Sequence, residues 1–229
     1  MLPTPEKRAA QALRLVCKRP AVAHNIPAIV TAMMAHPKAA PIQENGCAAL
    51  KVLATDDNRA AIGSVGGTSA VIDGMAAQRA DGAVQEQGCG ALWNLACGSK
   101  VNRVAIGQQG GIEGIVAAMR QHTASAAVQR TACGALATLV FQSAANRAAL
   151  HDAGGIRAIL KAMREHREAR KVQHQACRVL WNATVHSAHN RAAVAKFGGV
   201  DDLRIAQTAF PLDTELRKCA AGALQELGF

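Results

Sequence analysis

The chain has 229 residues, with 26 Lys and Arg against 16 Asp and Glu, and half of it is hydrophobic although only 3% is aromatic. This apolar material is aliphatic and small, which excludes a disordered chain and disfavours an all-β sandwich, built as those are from aromatic and β-branched residues. The formal charge of +10 points to a partner of negative character.

At the N-terminus, Pro3, Pro5, Glu6 and Lys18-Arg19-Pro20 interrupt any secretory apolar segment. Leu13 and Leu15 fit a packed helix better than a transit peptide built on Lys7, Arg8 and Arg14. No uninterrupted apolar run reaches the ~18 residues of a spanning helix, so no membrane insertion is expected. Leu2 and the terminal Leu227-Gly228-Phe229 signal neither myristoylation nor prenylation. The seven cysteines form no CxxC and no zinc-like spacing with histidine. Reduced thiols and a cytoplasmic location are expected, with the nucleus as the alternative.

Farther along, the chain repeats itself. Asn58, Asn102, Asn146 and Asn190 each precede an Arg and recur every 44 residues. Gly66-Gly67, Gly110-Gly111, Gly154-Gly155 and Gly198-Gly199 keep the same spacing, as do Cys89, Cys133 and Cys177. Cys47 stands 42 residues before Cys89, and the missing two residues lie in a connector between Ala54 and Asn58. Each unit reads as three helices. The first opens at the Asn, a good N-cap, and stops at the double Gly, which supplies the left-handed turn. The second carries a one-sided apolar stripe, such as Ile112, Ile115, Val116 and Met119. The third carries Val128, Ala132, Ala135, Leu136 and Leu139, with small residues that permit close helix approach.

Stacked units place equivalent atoms one helix diameter apart, ~10 Å, so the in-phase cysteines cannot form disulfides along the stack. They are expected in the core. His36, His122 and His166 recur at the end of the second helix, where they are expected to cap carbonyls. His186 and His189 form an isolated HxxH in a connector.

These motifs resemble the armadillo repeat family. The matching signature is Asn102-Arg103, Gly110-Gly111-Ile112, Ile115-Val116-Ala117-Ala118-Met119, Val128-Gln129 and Ala135-Leu136-Ala137-Thr138-Leu139, and the resemblance runs from about Ala10 onward. HEAT repeats, the close alternative, use two helices per unit and lack the Asn to Gly-Gly start. The resemblance implies an all-α, right-handed α-solenoid of three-helix repeats. The array divides into a shortened unit over 1–57, full repeats over 58–101, 102–145 and 146–189, and a capping repeat over 190–229, in which Arg204 and Gln207 replace stripe positions.

In armadillo proteins the third helices line a concave groove for extended peptides. Here that implies Glu86, Gln87, Trp93, Asn94, Arg130, Thr138, Gln175, Arg178, Trp181 and Asn182 as groove residues. Asn94 and Asn182 match the family's recurrent groove Asn, which holds a partner's backbone, while Val52 and Thr138 replace it in other units. Trp93 and Trp181 would act as apolar anchors if exposed, or pack on adjoining helices. Gly90 and Arg178 stand where nuclear-import receptors have a Trp, and the groove grows basic toward Arg130, Arg178 and Lys218. A basic cargo is thus disfavoured.

A second cationic group, Arg157, Lys161, Arg164, Arg167, Arg170 and Lys171, is expected on a separate convex face or edge. Nothing resembles a nucleophile–base pair, a phosphate loop or a metal motif, so neither enzyme activity nor a cofactor is expected. The sequence therefore predicts a monomeric, non-catalytic scaffold for an acidic protein or peptide segment. Nucleic-acid binding through residues 157–171 is the alternative, weakened by the few aromatics available for base stacking. A structural fragment of a larger multidomain protein is a third possibility.

Overall fold

A computed structural model describes residues 4–18 and 25–229. Pro3, Arg19 and Pro20, invoked above against a leader, lie outside the described residues. Among the described residues the regular structure is helical, with no strand. The N-terminal part holds α1 (Pro5–Lys18), α2 (Ile26–Ala35) and α3 (Ala40–Leu53). Four triplets follow: α4 (Arg59–Ser64), α5 (Gly67–Ala77) and α6 (Gly82–Ala96); α7 (Lys100–Gln108), α8 (Gly111–Gln121) and α9 (Ala126–Val140); α10 (Ala144–Asp152), α11 (Gly155–Glu165) and α12 (Arg170–Thr184); α13 (Ala188–Lys196), α14 (Gly199–Ala209) and α15 (Thr214–Glu226). They fall into two compact units that divide between Gly114 and Ile115. In the first unit α1 packs on α3 and α3 on α6; in the second, α12 packs between α9 and α15.

Each triplet turns where the double Gly stands. Gly66, Gly110, Gly154 and Gly198 have φ between 65° and 81°, a region that L side chains avoid. The second Gly of each pair sits against the first helix: a methyl group on Gly155 would collide with Leu150 Cδ1. The stripes of the second helices are buried, including Ile156, Ile159, Leu160 and Met163 of α11. Each such side chain contributes about 1.5–3 kcal/mol by leaving water. Cys47, Cys89, Cys133 and Cys177 are fully buried and unbridged. Burial pushes the Cys47 and Cys133 thiols up to about 12, and those of Cys177 and Cys219 also up, so these groups stay protonated at neutral pH.

The repeated Asn does not open its helix in the last three units. Helices α7, α10 and α13 begin two residues earlier, after Ser99, Ser143 and Ser187. Each Ser Oγ accepts the backbone N–H of the Asn, at 3.2, 3.3 and 3.4 Å. This frees the Asn side chain to turn inward. Asn102 Nδ2 donates to Leu95 O (2.9 Å) and Arg59 O (3.1 Å), and Asn146 Nδ2 to Leu139 O (2.7 Å). Asn190 Nδ2 donates to Ala183 O (3.0 Å) and Arg147 O (3.1 Å). The adjoining Arg103, Arg147 and Arg191 donate to Ala96 O, Val140 O and Thr184 O. The Asn-Arg pair thus closes the last carbonyls of the preceding third helix, which have no partner within it. Only Asn58, beside the shortened connector, holds the N-cap position, and it makes no side-chain cap bond.

The ends of the second helices are closed by glutamines rather than by the repeated histidines. Gln43 Nε2 bridges Met33 O and His36 O (2.8 and 2.9 Å), and Gln85 Nε2 bridges Met75 O and Gln78 O (both 2.9 Å). Gln129 and Gln173 make the same bridge to Met119 O with His122 O and to Met163 O with His166 O. A neutral amide with two N–H donors fits this buried place between two carbonyls. His166 Nε2 instead meets Thr123 O at 2.7 Å.

Replacing Gln173 by Leu keeps apolar bulk but leaves two helix-end carbonyls unbridged. The expected loss is about 1–3 kcal/mol, read as a lower urea midpoint with an unchanged slope, whereas exposed Gln121→Leu has little effect.

Candidate peptide-binding surface

The residues that the apolar stripes leave over form a surface on the third helices of each unit. On α6 of the first unit, Glu86, Gln87, Trp93 and Asn94 are half-buried. Asn94 Nδ2 donates to Lys51 O of α3 at 2.8 Å, and Lys51 Nζ donates to Gln87 Oε1 at 2.5 Å. Gly90 lies against the Lys51 stem, at a position where a side chain would force the lysine aside.

In the second unit, Asn182 Nδ2 of α12 donates to Ala137 O of α9 at 2.9 Å. Arg178 Nη2 donates to Gly134 O at 3.2 Å, one helix across. The Trp181 indole lies over Gly222 of α15, which has no side chain to displace it. One indole face is therefore packed, and Trp181 as a whole is half-buried. Thr138 turns its hydroxyl onto its own helix at Gly134 O (3.0 Å), as a helical Thr commonly does. The two family-type Asn side chains thus staple adjacent third helices through one N–H.

Lys171, Gln175, Arg178 and Asn182 follow one another along α12 at i, i+4, i+7 and i+11, and so share a face. At the N-terminal end of that track, Arg130, Arg170, Lys171, His174 and Gln175 line a cleft of about 260 Å³. Asp213, the N-cap of α15, faces it. Its carboxylate accepts the Leu216 N–H (3.0 Å) and the Arg170 guanidinium (2.7 Å), and His174 Nδ1 stands 3.7 Å away. The Leu216 N–H first, and then Arg170 and His174, hold the Asp213 carboxyl below the usual range. Gln175 Oε1 is buried without a hydrogen-bond partner.

The cationic group expected on a separate face divides. Arg170 and Lys171 open α12 and join Arg130 and Gln175 at the cleft. The other four stay with the second helix and its end. Arg164 holds Asp202 through Nε (2.9 Å) and Nη2 (2.8 Å) and donates to Phe197 O at 2.5 Å. Lys161 pairs with Glu165 at 3.5 Å, and Arg157 lies 6.0 Å from the Phe197 ring centre. Arg167 is exposed. Asp213 and Gly222 carry no motif that marks them in the sequence, and for Gln175, an expected groove residue, the sequence gives no sign of its buried, unpartnered Oε1. The 44-residue register marks Asp213 as the counterpart of Asp81 and Ser125, but its ion pairs arise only from packing. Among the described residues no group of three or more His, Cys, Asp or Glu could hold a metal ion, and no helix is long and apolar enough to cross a membrane.

The stapled three-helix repeats define an armadillo repeat scaffold. The LRRK2 ARM repeat family matches residues 64–195, more than half of the chain, and the chain belongs to that family. No curated protein matches the sequence significantly. Among solved structures, an engineered protein from a structural genomics consortium superposes with a TM-score of 0.83 at 24% identity, covering 98% of this chain and 92% of its own. A designed armadillo repeat protein in complex with the peptide (KR)4 superposes with a TM-score of 0.69 at 15% identity, covering 98% and 100%. A chain from a study of the interaction between cadherin and beta-catenin gives 0.79 at 17% identity, covering 98% of this chain and 45% of that one. At these identities the likeness shows the fold.

Because Asp213 has a lowered folded pKa, its stabilisation is present above the usual carboxylate range and is lost as pH falls through the folded value. Wild type therefore loses more of its urea midpoint between about pH 5 and pH 2.5 than Asp213→Asn, which starts lower at neutral pH.

Proposed function

We propose that the third-helix surface of the second unit binds an extended, acidic protein segment, and that the protein is a non-catalytic interaction scaffold of the cytoplasm. The observation that carries this is the track along α12. Lys171 and Arg178 supply positive charge, Gln175 and Asn182 supply polar atoms, and Trp181 supplies a partly exposed indole on the same helix. Asn182 spends one N–H on Ala137 O, which leaves its second N–H and its Oδ1 for a partner's main chain. Asp213, the carboxylate that pairs with Arg170 of the cleft, is also engaged by the α15 N-terminus. The (KR)4-bound design supports an extended peptide on this fold. The cations here favour the opposite charge in the ligand. For nucleic acid, the 157–171 region offers less free charge along the second helix, since Arg164 and Lys161 each hold a carboxylate.

Titration with the synthetic peptides (Asp-Glu)4 and (Lys-Arg)4, followed by tryptophan fluorescence, tests the reading. The acidic peptide is expected to bind, more weakly at higher salt, and Arg178→Gln with Lys171→Gln to weaken it about tenfold, equivalent to ~1.4 kcal/mol. Trp181→Phe should remove most of the signal change. Preference for the basic peptide, or binding untouched by these substitutions, would overturn the assignment.

A further inference from the structure

We propose that the cleft lined by Arg130, Arg170, Lys171, His174 and Gln175 receives the phosphoryl group of a phosphorylated serine or threonine in the bound segment. This rests on the third-helix surface as the segment's binding place and adds the chemistry that one point on it selects. Three permanently cationic side chains and a histidine converge on a space of about 260 Å³, and none of its five lining residues is acidic. Arg170 is held in place by Asp213 at 2.7 Å, and the His174 ring stands beside the same carboxylate. The cleft is thus partly organised before a ligand arrives.

A phosphomonoester fits these walls better than a carboxylate does. It carries about −1.5 to −2 charge at neutral pH and has three acceptor oxygens, so it can take N–H donors from several sides at once. A guanidinium presents a planar fork of donors and an ammonium a point charge, the two usual partners of phosphate. The first turn of α12 adds a weaker attraction: Ala169 at its N-cap has no side-chain acceptor, unlike Ser125 before α9 and Asp213 before α15.

Gln175 decides between a free anion and a phosphorylated segment. Its Oε1 is buried and accepts no hydrogen bond. A fully charged phosphate cannot supply the missing donor, whereas the main-chain N–H beside a phosphorylated residue can. One ligand then satisfies both features: phosphoryl oxygens on Lys171 and the two arginines, and a backbone N–H on Gln175 Oε1.

The test uses the whole chain and three fluorescein-labelled peptides that differ only at the central residue of Gly-Ala-X-Ala-Gly, where X is phosphoserine, Glu or Ser. Binding is read by anisotropy, with inorganic phosphate as competitor, and (Asp-Glu)4 is titrated in parallel. The phosphoserine peptide is expected to bind about tenfold tighter than the Glu peptide, and the Ser peptide weakest. Exposed Lys171→Ala and half-buried Gln175→Leu should each weaken the phosphoserine peptide about fivefold, with helicity by circular dichroism unchanged. Equal affinity for the phosphoserine and Glu peptides overturns the proposal. So does affinity untouched by both substitutions, or inorganic phosphate competing as well as the peptide itself binds. If (Asp-Glu)4 binds and the phosphoserine peptide shows no advantage, the phosphoryl pocket fails while the surface stands; if neither binds, both fail.

Discussion

The structure depends on how the helices dispose of their terminal carbonyls. Every α-helix leaves its last C=O groups without partners, and short helices packed side by side bury many such ends. In this chain the solution is a side-chain amide. Gln43, Gln85, Gln129 and Gln173 each place one neutral NH2 between two carbonyls three residues apart. Asn102 and Asn190 each link the end of the preceding third helix to the first helix of the unit before. A hydroxyl has one hydrogen and cannot bridge in this way, and a lysine would bring a charge into the interior at a desolvation cost. These bridges hold each unit in register, and register decides what the third helices present.

Once register is fixed, one column of the repeat can hold quite different residues at low structural cost. Gly90, Gly134, Arg178 and Gly222 occupy the same position in successive units. Gly90 makes room for the Lys51 stem and Gly222 for the Trp181 indole, while Arg178 reaches across to Gly134 O. Residues chosen for the surface therefore also serve the packing of neighbouring third helices within each compact unit. Asn94 and Asn182 show this most plainly, because each commits one N–H to the neighbouring third helix and keeps the rest of its amide for other partners.

Electrostatics follows the same division. Cations on the second helix or at its end are largely absorbed within the second unit: Arg164 by Asp202 and Phe197 O, Arg120 by Ala153 O, and Lys161 by Glu165. Those at the start of α12 line a cleft, and the carboxylate that holds Arg170 there, Asp213, also caps a helix N-terminus. A formal charge of +10 thus reduces to a few places where positive charge is concentrated.

The sequence by itself determined the units, their three helices and their buried stripes, because a 44-residue period and the 3.6-residue helical period are both written in residue order. It also marked the Gly-Gly turns, since only Gly takes a φ near +70° without strain. It placed the repeated Asn at the helix start, which holds for Asn58 alone, and expected the repeated His to cap the helix-end carbonyls that glutamines bridge. Both roles concern hydrogen bonds to carbonyls that residue order does not bring close. The caps of Ser99, Ser143 and Ser187 are local, each to the N–H three residues on, but tertiary packing alone decided that Asn102 and Asn190 staple across helices and that Arg170 and Lys171 belong with Arg130 and Gln175. The physical reason is direction. Periodicity tells which side of a helix a residue lies on, but a long polar side chain is placed by the partner that it reaches, and that partner is set by the neighbouring helix.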